Sequence, residues 1–276
     1  MIPKVIHYCW FGGNPLPEVA VKCINSWKKY FPDYEIIEWN ENNFNLNCCE
    51  YVKEAFSAKK WAFVSDYARF WILYNYGGLY FDTDVEVIKD MKNIIINGPF
   101  MGCELSDMTN TNFNVGINPG LGIGAYPKMA IYKEILESYD NAHFLNSNGL
   151  YNFETIVDRT TNIFRLYGFN GCNCVLKIKE INIYPPEYFC PLNYATGDLC
   201  LTKNSYSIHW YDASWLDKRM KTRRLRVEKI HRLFKGRIGN ILSKLYMSSS
   251  YYCEWIAKGD FKTIKYKLKK RITRKQ

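Results

Sequence analysis

Apolar residues recur along this chain in two periods, and the alternation between those periods outlines the fold. In "PKVIHYCWFGG" a nearly continuous apolar run from Val5 to Trp10 ends at Gly12-Gly13, which predicts a short buried strand. "VAVKCINSWKKYFP" places Val19, Cys23, Trp27 and Tyr30 at helical spacing, with Pro32 just past the end. "YEIIEWN" then reads as a second strand, so the chain opens with a strand, a helix and a strand that pair in parallel. "YVKEAFSAKKWAFVSDYARFWILYNYGG" reads as one helical stretch, with Phe63, Tyr67, Phe70, Trp71 and Tyr74 on one face and Gly77 as a left-handed C-terminal cap. Leu79 to Phe81 is a short buried strand, and the residues after Asp84 alternate as an edge strand does. Further strands are expected at "PFMGCEL" and "VLKIKEINIYP", with helices near 127–140 and 152–167. There is no internal repeat or low-complexity segment, and the expected class is α/β.

Size and composition bound the possibilities. A chain of 276 residues with 47% hydrophobic content suits one large α/β domain, alone or with an appendage. The 22 Tyr and 8 Trp suit a cleft for sugar rings or nucleobases, and equally the filling of a core. "MIPKVIHYCWFGG" has one early lysine and no small-residue cleavage site, so no secretory leader is expected. No uncharged apolar run reaches about 18 residues, so no membrane span is expected. The ten cysteines are then expected as free thiols in a reducing compartment, because Cys48-Cys49 and Cys172-x-Cys174 lack zinc-site spacing.

Charge divides the chain. Residues 217–276 carry 20 Lys/Arg against 4 Asp/Glu, a net of +16, whereas residues 1–216 carry a net of −6. Two zones follow: a mildly acidic body at 1–216 and a basic extension at 217–276.

The candidate chemistry lies in "YNYGGLYFDTDVEVIKD". Asp82 and Asp84 are two apart, so on a strand both side chains share one face, and a bend there lets both approach one ion. Two hard oxygen donors suit Mg²⁺ or Mn²⁺, and ligands in open α/β sheets bind at the carboxyl ends of strands. An EF-hand is excluded, because Val87 and Asn93 stand where that loop needs Gly and Glu. A phosphatase of the haloacid dehalogenase type also uses an apolar strand followed by Asp-x-Asp, although there the motif usually lies near the chain start.

Three segments, "IPKVIHYCWFGG", "SDYARFWILYNYGGLYFDTDV" and "SIHWYDASW", together resemble the glycosyltransferases with a DXD sugar-binding region. That family-32-like group includes the yeast initiating α-mannosyltransferases and bacterial capsule enzymes, and it is distantly similar to the glucosylating domains of large clostridial toxins. The resemblance runs from Ile2 to about Trp215. It implies a GT-A (Rossmann-like) fold, a nucleotide-sugar donor, a divalent metal and retention of anomeric configuration.

The same resemblance implies roles for individual residues. Trp10 would stack on the nucleobase, and Asp66 and Arg69, three apart on a helix, would contact hydroxyls of the donor sugar. Tyr80 occupies the place of a donor-contacting tyrosine. Asp84 would bind the metal directly, and Asp82 would hold a ribose hydroxyl or a metal-bound water. His209 in "SIHW" would be the third protein ligand, and Ser214 and Trp215 in "DASW" would lie near the diphosphate. Family members often show a small-residue loop with Asn where this chain has "NVGINPGLGIGAYP"; the sequence departs from that pattern here, and Asn118 could face the sugar. No carboxylate presents itself as a nucleophile, and a front-face mechanism needs none. Asp107 and Glu154 are assigned no role by the resemblance.

In the extension, Val227, Ile230, Leu233, Phe234, Ile238, Ile241, Leu242 and Leu245 keep helical apolar spacing among Arg and Lys, the pattern of a basic amphipathic helix. The expectation is a metal-dependent hexosyltransferase that uses a UDP-sugar, galactose or glucose, on a glycan or polyprenyl-diphosphate-linked acceptor in bacterial surface polysaccharide synthesis. It would be cytoplasmic and peripheral to the inner face of the membrane, without nucleic-acid partners. The alternatives are a GDP-mannose-dependent mannosyltransferase, a dehalogenase-type phosphatase and a non-catalytic basic membrane-binding protein.

Overall fold

The computed structural model describes residues 1–106, 114–146, 149–194, 196–212, 218–234 and 236–257. The opening elements are β1 (Val5–Cys9), α1 (Glu18–Tyr30) and β2 (Glu35–Trp39), and β1 and β2 pair in parallel as expected. The long helical stretch is two helices, α2 (Glu50–Ser57) and α3 (Trp61–Tyr76). The break falls at Lys59, whose φ of 56° is left-handed and so ends the first helix. In α3, Val64, Ala68, Phe70, Ile72 and Leu73 are all fully buried. A helix sealed on so many sides is held by burial rather than by one amphipathic stripe, at about 1.5–3 kcal/mol for each large apolar side chain.

After α3 come β3 (Gly78–Tyr80), β4 (Val85–Val87), α4 (Lys92–Ile96), β5 (Phe100–Ser106), β6 (Asn114–Ala125), α5 (Ala130–Glu137) and α6 (Ile156–Leu166). The segment "VLKIKEINIYP" is a tight hairpin, β7 (Leu176–Ile178) and β8 (Ile181–Tyr184), turned at left-handed Lys179. α7 (Pro186–Phe189) and β9 (Ser207–His209) follow. Seven strands form a mixed sheet in the order β2-β1-β3-β6-β5-β8-β7, while β4 and β9 make a separate antiparallel pair. Successive residues of β3 face opposite ways: Leu79 joins an apolar cluster with Trp27 of α1 and Ile94 of α4, and Tyr80 joins one with residues of α3, α5 and α6. A sheet with helices on both faces is the α/β class expected from the sequence.

Gly77 and Gly78 thread the chain from α3 into the sheet. A Cβ on Gly77 would lie 2.8 Å from Pro127 Cδ, and one on Gly78 would lie 2.6 Å from Val5 Cγ1. Gly77 has the positive φ expected of a cap, 65°, but its ψ of −157° is extended, because the chain must enter β3 at once. Buried His7 fixes this entry. Trp39 Nε1 donates to His7 Nδ1 at 3.1 Å, so His7 Nε2 carries the proton and donates to Gly77 O at 3.1 Å. Burial, only partly opposed by the Gly77 carbonyl, pushes this imidazole down to about 4.

Where the resemblance points to a small-residue loop, "NVGINPGLGIGAYP" carries a strand, β6, which pairs with both β3 and β5. The loop survives as a bulge within it. Met101 pairs with Ile123 but Gly102 pairs with Asn118, so residues 119–122 are extra on β6.

The chain divides into two compact units, Met1–Asn193 with Leu199–Trp215, and Tyr194–Asp198 with Leu216–Gln276. In the second, α8 (Lys218–Leu233) and α9 (Gly236–Ala257) form a helical hairpin. Arg223 Nε donates to Ser250 Oγ at 2.7 Å, and its guanidinium pairs with Glu254 and lies over the Tyr251 ring. Among the described residues no helix is long and apolar enough to cross a membrane.

Candidate active site

The sheet ladder stops at Tyr80, and Asp82 to Asp84 occupy a turn closed by Val85 N–H donating to Asp82 O at 3.0 Å. Two-residue alternation therefore no longer governs the pair, and the two carboxylates diverge instead of sharing one face. Asp82 turns toward α3. It accepts from Tyr80 OH at 3.0 Å and lies 3.2 Å from Arg69 Nη2. Asp84 turns toward β9. Its Oδ1 is 3.1 Å from His209 Nε2, and its Oδ2 accepts from Asp212 N–H at 2.9 Å. The β4–β9 pairing sets Val85 opposite His209, which is how a histidine so distant in sequence reaches Asp84.

Asp66 and Arg69 share a face of α3 as their spacing requires, with Arg69 Nη2 donating to Asp66 Oδ1 at 2.8 Å. Arg69 is fixed further by Ser65 O, which accepts from its Nε at 3.2 Å, and by the Tyr80 ring beneath it. One guanidinium thus joins Asp66 on the helix to Asp82 beyond the strand. The side chain of Asp82 is 28% exposed against 13% for Asp66, so Asp82 is the more open to a ligand.

Protonation follows these environments. Burial pushes Asp66 up to about 7, against the pull of Arg69 and with the charge of Asp82 adding to the rise. Asp82 is also raised by burial, which outweighs Arg69. Asp84 is also largely buried yet lowered, because His209 and the Asp212 N–H outweigh desolvation. His209 is raised: burial opposes its charge, but Asp84, and then Asp82 and Glu104, overcome that. Four carboxylates, Asp66, Asp82, Asp84 and Glu104, act on a region with two arginines, Arg69 and, at the Asp66 end, Arg159.

Among the described residues, no three His, Cys, Asp or Glu side chains form a ready metal cluster. Asp84 and His209 nonetheless offer an oxygen and a nitrogen donor at one point, which suits Mn²⁺ or Mg²⁺ in an excess of negative charge. Asp82 packs directly against the bulge of β6, where a side chain has no room: a Cβ on Gly120 would lie 2.1 Å from Asp82 Oδ2. The residues present fit a divalent ion held by Asp84 and His209, with Asp82 turned to Arg69 and Tyr80 instead.

Trp10 follows the carboxyl end of β1, beside β3 in the sheet, half-buried, with its indole N–H donating to Asn14 O at 2.6 Å. Ser214, Trp215 and Asp107 lie outside the described residues. Glu154 pairs with Arg159. The sequence reading passed over Gly120, Glu104 and Tyr211. Gly120 O accepts from Asp82 N–H at 3.1 Å, and Gly120 N–H donates to Asn118 Oδ1 at 2.7 Å. Tyr211, left-handed at φ 50°, packs its ring on His209 with centroids 4.1 Å apart. The glycine-rich run around Asn118 was the available signal for the bulge, but nothing local pointed to Glu104.

Residues 17–101 match the family described as "Glycosyltransferase sugar-binding region containing DXD motif". The chain is 31% identical over 111 residues to inositol phosphoceramide mannosyltransferase 1 of Schizosaccharomyces pombe, a match covering 36% of this chain. The matched part spans only about a third (33%) of that relative's length. It is 26% identical over 226 residues to an uncharacterised glycosyltransferase of Acanthamoeba polyphaga mimivirus, covering 75% of this chain and 83% of that one. Among solved structures, a glycosyltransferase involved in glycosylation of the major capsid of PBCV-1 superposes with a TM-score of 0.44 at 14% identity, over 82% of this chain and all (100%) of the other.

Proposed function

We propose, from the premise that residues 17–101 carry a glycosyltransferase sugar-binding region with its DXD motif, that the chain moves a hexose from a nucleotide-sugar donor to a hydroxyl of a glycan or polyprenyl-diphosphate-linked acceptor. The carrying observation is the junction of Asp66, Arg69 and Asp82 on one side with Asp84 and His209 on the other, around the turn that ends β3. Arg69 donates to sugar oxygens, and Asp66 accepts from sugar hydroxyls. Asp82, held by Tyr80, takes a ribose hydroxyl. Trp10 covers the base, and the family resemblance assigns the diphosphate to Ser214 and Trp215. Mn²⁺ or Mg²⁺, when bound by Asp84 and His209, supplies charge neutralisation to the leaving diphosphate. The bond from anomeric carbon to diphosphate breaks on the face where the acceptor oxygen bonds. That same-face exchange retains configuration, and the leaving diphosphate takes the acceptor proton.

We favour a UDP-hexose, galactose or glucose, in bacterial surface polysaccharide synthesis. GDP-mannose is the second reading, supported by likeness to a relative named as a mannosyltransferase. The test is nucleoside diphosphate release from a panel of UDP- and GDP-sugars with Mn²⁺, for wild type and Asp84→Ala. One strong donor whose signal vanishes in Asp84→Ala supports the reading. Phosphate release from a simple phosphomonoester, with every nucleotide sugar inert, would replace it with the phosphatase alternative.

The basic hairpin favours a peripheral contact with anionic lipid at the cytoplasmic face. Its two described carboxylates are paired internally, Glu228 with Arg224 and Glu254 with Arg223. Arg219, Lys229, Arg232 and Lys244 make no ion pair among the described residues, while Leu233, Phe234, Ile238, Ile241 and Leu245 are exposed beside them. Each such cation near the surface adds about 1 kcal/mol of attraction. Co-sedimentation with phosphatidylcholine vesicles, with and without phosphatidylglycerol, should show binding only to the anionic ones, weakened in Phe234→Glu/Ile241→Glu. Equal pelleting of both proteins would refute the contact.

A further inference from the structure

Ligating histidines usually have their second ring nitrogen anchored by a carboxylate or a carbonyl. His209 lacks that anchor: its Nδ1 is buried and has no hydrogen-bond partner in the structure. Its described contacts are Asp84 at Nε2 and the Tyr211 ring against its face. Tyr211 in turn depends on Glu104, half-buried on β5, whose Oε2 accepts from Tyr211 OH at 2.9 Å. The same oxygen accepts from Asn118 Nδ2 at 2.8 Å. Asn118 Oδ1 receives the Gly120 N–H, and Gly120 O receives the Asp82 N–H. One carboxylate oxygen therefore secures both halves of the site: the imidazole facing Asp84, and the bulge backing Asp82.

We infer that Glu104 is a positioning residue for metal-dependent donor binding, acting through Tyr211 on His209 and through Asn118 on Asp82. The inference rests on the transferase reading above. Glu104 is remote from the acidic pair in sequence, and its side chain is assigned no contact with donor or metal. Holding Tyr211 matters because a tyrosine at φ 50° has left the regions that non-glycine residues favour, and so needs specific contacts to stay there. Cys190 Sγ, 2.9 Å from the same phenol, is the second such contact.

The test is calorimetry of UDP and GDP, each with Mn²⁺ and with EDTA, on the full chain and on Glu104→Ala, Tyr211→Phe and Glu104→Gln, with a melting curve for each. The glutamine amide oxygen can accept both hydrogen bonds that Oε2 accepts, so it preserves the brace without the charge. Glu104→Ala and Tyr211→Phe should weaken Mn²⁺-dependent binding by about tenfold or more, and Glu104→Gln should restore it to within about threefold of wild type. Wild-type affinity in Glu104→Ala would overturn the inference. So would a Glu104→Gln protein as weak as the alanine variant, since charge rather than positioning would then be acting. If wild type binds neither nucleotide with Mn²⁺, the transferase reading fails, and the brace is judged from the NMR resonances of the His209 imidazole. These should shift further in Glu104→Ala, which loses both the charge and the brace, than in Glu104→Gln, which loses only the charge, and unchanged resonances in the alanine variant, or equal shifts in the two, would overturn it there too.

Discussion

Replacing Gly120 by alanine adds one methyl group at the point where the bulge of β6 meets Asp82. The new Cβ would lie 2.1 Å from Asp82 Oδ2 and 3.0 Å from Asn118 Oδ1. The backbone has little room to retreat, because Gly120 N–H is bonded to Asn118 and Gly120 O to Asp82 N–H. The carboxylate must therefore move, by about 1 Å if the contact is to reach the tolerable range. Such a shift breaks at least one of its bonds to Arg69 and Tyr80, now 3.2 and 3.0 Å long. A hydrogen bond to a charged group contributes about 1.5–3 kcal/mol, so nucleoside diphosphate affinity with Mn²⁺ should fall by roughly 10- to 150-fold. Calorimetry reads the affinity, and a melting curve shows that the sheet still forms. Wild-type affinity in a folded Gly120→Ala protein would refute the idea that the bulge sets the position of Asp82.

Three further outcomes follow from contacts already described. His7 is held neutral with its pKa depressed to about 4, so the unfolded chain takes up its proton first as pH falls below the ordinary value of 6.5. Stability should drop by about 2–3 kcal/mol between pH 7 and pH 4.5; denaturant midpoints for wild type and His7→Gln at both pH values check this, and parallel losses would contradict it. Arg69→Lys keeps the charge but cannot span Asp66 and Asp82 with one planar fork, so kcat/KM should fall by about tenfold or more while the fold persists; steady-state kinetics on the identified donor would show it. Glu54 accepts from the Phe144 and Leu145 N–H groups at 2.7 and 2.9 Å, and these bonds, with His143, outweigh desolvation and lower its pKa; Glu54→Ala should speed proteolysis at residues 143–146, measured by limited digestion.

The sequence made the strand–helix–strand opening and the run into Asp82 visible because each depends on local periodicity, whereas α3 read as one apolar face and is in fact buried on several, at Val64, Ala68, Ile72 and Leu73 as well as Tyr67 and Phe70. Gly77-Gly78 was equally plain, since only glycine tolerates that crowding at positive φ. The single helix proved to be two because Lys59, a residue with no turn signature, takes the left-handed turn. The divergence of Asp82 and Asp84 was hidden because alternation holds only while the ladder continues, and the ladder ends at Tyr80. Glu104 stayed hidden for another reason: its partners, Asn118 and Tyr211, come from different elements, and only strand pairing brings them together.

The β4–β9 pair bears on how the protein comes into being as it is synthesised. Asp84 and the Asp212 N–H that binds it are 128 positions apart. A growing chain therefore exposes its acidic turn long before the strand carrying His209 has been made. Closing so large a loop is entropically costly and slow, and it comes after most of the sheet is available. Every shortened product ending before β9 would hold Asp66, Arg69 and Asp82 yet lack His209 and the Asp212 N–H as partners for Asp84, so the acidic turn is completed only with almost the last residues of this unit.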